Sequence, residues 1–186
     1  YPKYVKYTLN TVIRDMAKQP ELFCRNPERD FTRKRKLPFE NVLELLVKMG
    51  GHSLRDEMLD CLDFPDTPAS VSALVQQRNK VLPEALEFLF HKFTDRCERP
   101  KLYKGCRLLA VDGSDLQFTA NPNDPLSYFP GVNGQKPYSF LHLNALYDLN
   151  THIYFDAVVQ KKRQLHENAA LVEMIRRSHI KEPAIV

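Results

Sequence analysis

A chain of 186 residues, 43% hydrophobic and 27% charged, has the composition of an ordinary globular protein with room for one sizeable core or two small ones. No apolar run approaches the roughly 18 to 20 residues that cross a bilayer, and the start, YPKYVKYTLN, lacks the apolar stretch of a secretion signal; both point to a soluble, cytoplasmic protein. The net charge of +4 is uneven: residues 1–36 carry ten Lys and Arg against four Asp and Glu, and the rest carries seventeen against nineteen.

Taken in order, the first 36 residues are polar and basic, with Tyr1, Tyr4 and Tyr7 preceding a helix expected over Leu9 to Lys18; Pro20 and Pro27 then interrupt. Residues 37–98 repeat their apolar positions at helical spacing: Phe39, Val42, Leu43, Leu46 and Val47 in one segment, Leu82, Ala85, Leu86, Leu89, Phe90 and Phe93 in another. Between them, Ser53 with Asp56 three residues on has the form of a weak capping box, and Pro65 and Pro68 fix a turn. Ser70 or Ser72 then caps a helix carrying Gln76, Gln77, Arg78 and Lys80. After Arg99 the period changes. CRLLAV, YSFLHLNALY and HIYFDAVVQ read as strands, the last two joined at Asp148–Thr151 as an antiparallel hairpin. A helix from Glu167 to Ser178 follows, with Ala170, Leu171, Met174 and Ile175 as its core face, and then an apolar strand from Pro183. The fold class is therefore α+β: an all-helical module over 1–99, then a mixed sheet in the order β-β-β-α-β over 100–186.

Two features carry chemistry. Arg33, Lys34, Arg35 and Lys36 form a cluster suited to neutralising phosphates, or a solvated charge run. In LLAVDGSDLQF, Asp112 ends a run apolar on both faces, where a carboxylate needs either a divalent cation or an Asx-type turn at Gly113-Ser114. Four scattered cysteines, Cys24, Cys61, Cys97 and Cys106, have no CxxC spacing and read as reduced, mostly buried thiols. Glu167, Glu173, Asp148 and Asp156 read as solvated acids, and His142 as structural.

RLLAVDGSDLQF, NGQKPYSFLHLNALYDL and KKRQLHENAALVEMI, in that order, together with DFTRKRKLPF and SALVQQRNKV upstream, resemble bacterial insertion-sequence DDE transposases of the branch named after insertion sequence four. The resemblance spans nearly the whole chain. It implies an incomplete ribonuclease-H-like domain, in which three acids hold two Mg²⁺ or Mn²⁺ ions for phosphodiester cleavage and strand transfer. It makes Asp112 the first acid, catalytic and metal-binding, and gives Asp115 no role. The other two acids would lie beyond residue 186. Double-stranded DNA at transposon ends is the implied partner, with a homodimer in the complete protein. For DNA contacts the candidates are Arg33, Lys34, Arg35, Lys36, Gln77, Arg78, Lys80, Lys136 and the second basic cluster, Lys161, Lys162 and Arg163. The competing readings are a non-catalytic DNA-binding or regulatory protein derived from a truncated transposase, and an unrelated metal-dependent nuclease assembled by dimerisation.

Overall fold

A computed structural model describes residues 2–33, 35–64, 68–97, 99 and 101–186, and the chain divides into two compact units, Tyr1–Cys97 and Glu98–Val186. Lys34 and Pro65 therefore lie outside the described residues.

The first unit is helical: α1 (Pro2–Ala17), α2 (Phe39–Lys48), α3 (Leu54–Cys61), α4 (Val71–Arg78) and α5 (Pro83–Cys97). Helix α1 begins a full two turns earlier than the apolar pattern suggests. Proline is tolerated in a first helical turn, where an N–H has no intrahelical acceptor, and the Tyr4 hydroxyl donates to the Arg96 carbonyl on α5 at 2.7 Å, fastening the early turns. Val12, Ile13, Met16, Val42, Leu43, Leu45, Leu74, Ala85 and Leu89 close a shared apolar core. Each larger side chain among them contributes about 1.5 to 3 kcal/mol on full burial. Leu45 is buried in place of the expected Val47, which is exposed, and Leu86 is exposed as well. Both helix caps form: Ser53 accepts from the Asp56 amide, and Ser70, not Ser72, accepts from the Ala73 amide.

The second unit is a mixed five-stranded sheet with one α-helix: β1 (Arg107–Phe118), β2 (Tyr128–Phe129), β3 (Tyr138–Asp148), β4 (Ile153–Lys161), α6 (Glu167–Arg177) and β5 (Ala184–Ile185). Strand β3 is central. One edge pairs antiparallel with β1, and the other pairs antiparallel with β4 and, at its start, with β2. β1 also pairs in parallel with β5 through Arg107 and Leu108. The β3–β4 connection is an Asx turn, the Asp148 Oδ1 accepting from the Asn150 and Thr151 amides at 2.8 and 2.9 Å.

The faces of this sheet differ. Leu109 and Leu146 pack with Met174 of α6, joined by Val111, Phe155, Val158 and Ile180. On the opposite face Leu116, Tyr154 and Val159 are about half exposed, so β1 is not covered on both sides as its apolar run suggests. On α6 only Ala170 and Met174 are buried; Ile175, expected in the core, is exposed. Much of what is buried in this unit is polar. Arg107 lies 3.9 Å from the Asp148 carboxylate and donates to Glu182 at 2.9 Å. Arg177 holds Asp156 through its Nη2, 2.7 Å from Oδ1, and donates to the Ala157 carbonyl. Asp148 and Asp156 are thus buried ion-pair partners, which corrects their reading as solvated acids.

Candidate functional site

Asp112 lies within β1, not at its end. The Gly113-Ser114 step reads as a turn, yet pairing continues through Asp112↔Ala145, Gly113↔Asn144 and Ser114↔Leu143 to Phe118↔Ser139. Glycine at 113 has a packing reason: a Cβ there would overlap the His142 ring on the neighbouring strand. The turn-capping alternative for Asp112 therefore falls. Its Oδ1 accepts from the adjacent Gly113 amide at 2.8 Å, and the side chain is exposed on the face opposite α6. The desolvation cost that would call for a cation is consequently absent at this position.

A second Mg²⁺-type requirement is ligand number. Among the described residues no group of three or more His, Cys, Asp and Glu side chains is arranged to hold a metal. Asp148 and Asp156 are committed to Arg107 and Arg177, on the face away from Asp112. A single exposed carboxylate does not make a two-metal centre, so the residues present do not by themselves fit one.

Asp115, assigned no role by the sequence, is instead the middle of a charged cluster under the start of α6. His142 Nδ1 donates to its Oδ1 at 2.7 Å, and Lys162 Nζ reaches its Oδ2 at 2.7 Å. Those two bonds, the His142 one first, hold the Asp115 carboxyl below the usual range. His142 is 5% exposed; its Nε2 is buried without a hydrogen-bond partner among the described residues, 3.6 Å from Glu167 Oε1. Alternation alone places 113 and 115 on one face of their strand, but their meeting with 142 requires the β1–β3 register, which the sequence does not state.

The second basic cluster is engaged within the unit. Lys161 pairs with Asp124 at 2.9 Å and depresses the Asp124 carboxyl, Lys162 pairs with Asp115, and Arg163 donates to the Tyr128 carbonyl at 3.2 Å with its guanidinium 4.6 Å from the Phe129 ring centre. These side chains tie the end of β4 to the sheet's edge. Lys136 is exposed in the loop before β3, apart from them in sequence.

The first unit does assemble a basic site. Backbone bonds from Arg25 to the Lys80 carbonyl (2.8 Å) and from Leu82 to the Phe23 carbonyl (2.9 Å) zip the chain after α1 to the chain after α4. Arg33, Arg35 and Leu37, from the segment that follows, share a hollow with residues of α4. A cleft of about 470 Å³ opens between them, lined by Phe31, Arg33, Arg35, Gln76, Gln77 and Lys80 among others. It adjoins a second hollow that Arg35, Lys36, Gln77 and Lys80 also line. Two candidate segments some forty residues apart thus meet. Arg78 is exposed and lines neither hollow; Gln76, on the same helix, lines both. Two carboxylates, Glu28 and Asp30, line the cleft as well, Asp30 accepting from the Asn26 backbone and side-chain amides. Gln77 is 7% exposed, and its Oε1 has no hydrogen-bond partner among the described residues.

The chain matches no protein-family model, no curated protein and no solved structure. Among the described residues no helix is long and apolar enough to cross a membrane.

Proposed function

We propose that the chain is the DNA-binding part of a DDE-type transposase, a helical unit that grips DNA joined to the opening portion of a ribonuclease-H-like domain. The observation that carries the DNA-binding reading is the shared cleft: Arg33, Arg35 and Lys36, from the basic first 36 residues, face the amides of α4 and Lys80 across a few hundred cubic ångströms. Cations so gathered release condensed counterions when they meet a phosphate backbone. The ribonuclease-H-like reading is supported by the strand arrangement, in which three antiparallel strands are followed by α6 and a strand returning in parallel beside β1. Asp112 stands four residues past the last β1 residue paired with β5, on the strand where that reading expects the first acid.

For this chain the activity so proposed is binding. Phosphodiester cleavage and strand transfer belong to the proposal for a complete protein, because Asp112 alone does not supply the ligands of a two-metal centre.

The test is the salt dependence of binding to duplex DNA. The logarithm of affinity should fall linearly with the logarithm of salt concentration, and replacing Arg33, Arg35 and Lys36 together by alanine should flatten the slope by about 0.9 for each phosphate that the variant no longer neutralises. An unchanged slope would remove the cleft from the DNA-binding surface. Mn²⁺ binding that Asp112→Ala abolishes would favour the transposase reading over the non-catalytic one.

A further inference from the structure

Within the cleft of the helical unit, one residue sits in a conformation its side chain disfavours. Phe31 has φ of +57°, the left-handed region that bulky L-residues rarely enter and that, when occupied, concentrates at ligand sites. Its ring makes an edge contact with Phe39, centroids 5.3 Å apart at 82°, and packs against the unit's apolar core at the cleft wall. The Lys80 ammonium lies 5.6 Å from that ring's centre, and Arg33 and Arg35 line the same cleft. Gln77, a residue of the same lining, keeps a buried amide oxygen without a partner among the described residues.

An aromatic ring among cations suits a ligand with a flat π-system joined to a phosphate: the Lys80 ammonium that lies over the ring would move to the phosphate as the base takes its place. A nucleotide is that ligand, and about 470 Å³ is within the roughly 300 to 1,000 Å³ of clefts that enclose small molecules. A base paired in a duplex is stacked on both sides and cannot lay its face on Phe31. We infer that the cleft takes an unpaired nucleotide of a DNA strand, its base against Phe31 and its phosphates on Arg33, Arg35 and Lys80. The inference rests on the DNA-binding reading and deepens it: the duplex is held through its phosphates, and the cleft selects DNA carrying an unpaired end.

The experiment compares binding of a labelled blunt duplex with the same duplex bearing a short single-stranded overhang, by fluorescence anisotropy at fixed salt. The overhang should tighten binding about tenfold, the order that one stacked base supplies. The gain should vanish with abasic sites in the overhang and in Phe31→Leu, and should survive in Phe31→Tyr, which keeps the ring. Thermal melting of Phe31→Leu establishes that the variant is folded. Equal affinity for blunt and overhanging duplex, with a steep salt dependence, would overturn this inference and leave the DNA-binding reading standing; no binding of either duplex would overturn both. Free deoxyadenosine monophosphate displacing the overhanging duplex at lower concentration than a matching oligonucleotide would assign the cleft to free nucleotides and overturn the strand assignment.

Discussion

The helical unit and the sheet unit stabilise themselves in opposite ways. In the first, the buried residues are predominantly aliphatic, and Arg33, Arg35, Lys36 and Lys80 are left around an open cleft. In the second, the apolar cluster is small, and Arg107, His142, Asn144, Asp148 and Asp156 occupy the interior with it. Its remaining basic residues at the end of β4 are taken up by Asp115, Asp124 and a backbone carbonyl. The two basic clusters therefore have different meanings: the cations at the cleft are open to a partner, whereas those at the end of β4 are part of the structure.

The sharpest break of that comparison is Asp148→Ala. It removes the carboxylate beside Arg107 and the acceptor of the β3–β4 turn; Arg107 keeps its bond to Glu182, so the cost should fall toward the lower end of about 3 to 5 kcal/mol. The double variant Arg107→Met with Asp148→Asn keeps the turn acceptor and removes the charge, and should recover most of the loss. Urea denaturation measures both. If the single and double variants are equally unstable, the pair is not what holds this end of the sheet.

In the helical unit the counterpart is Leu43→Ala. Leu43 is fully buried, and its truncation should cost about 2 to 5 kcal/mol, the upper part of the range applying if the surrounding helices cannot close the cavity. Arg33→Ala, on the open cleft, should leave the same denaturation midpoint nearly unmoved. A large loss there would mean that the cation is structural after all.

Much of this architecture was legible in the sequence, and the failures have physical causes. Helical spacing located α2 and α5, and β-branched alternation located β3 and β4, because each element buries one face of a regular period. The β1 end was misread because Gly-Ser is ordinarily turn chemistry; here Gly113 makes room for His142, a contact set by strand register. Asp148 and Asp156 looked solvated because acids usually are, and their arginines lie 41 and 21 residues away in sequence. Of the candidate site, the individual cations were visible. That Arg33, Arg35 and Lys36 share hollows with residues of α4 was not, since the nearby bonds of Arg25 and Leu82 are backbone bonds and leave no mark in residue type.

A smaller effect tests whether the helical unit's cleft holds a polar group kept unsatisfied for a ligand. Gln77→Leu replaces a buried amide whose oxygen has no partner among the described residues by an apolar side chain of similar size, and should be stabilising by about 1 kcal/mol. A gain in stability accompanied by a loss of DNA affinity would be the signature of a binding residue retained against stability. A loss of stability would mean that the amide has a structural partner in solution, such as bound water.

The smallest effect concerns Asp115, which is part-exposed, so that solvent weakens its ion pairs. Its pKa is lowered on folding by His142 and then by Lys162, so the ionised form is favoured in the folded state. The stabilisation is fully present above the unfolded carboxyl value of about 3.9 and is lost as the pH falls through the lower folded value. Asp115→Asn should therefore be less stable than the wild type at neutral pH, and the difference should shrink below about pH 4 and disappear in stronger acid. A difference that persists undiminished at low pH would show that Asp115 acts through packing or neutral hydrogen bonds. The ionic description of the sheet unit would then apply to Arg107 and Arg177 but not to the cluster beneath α6.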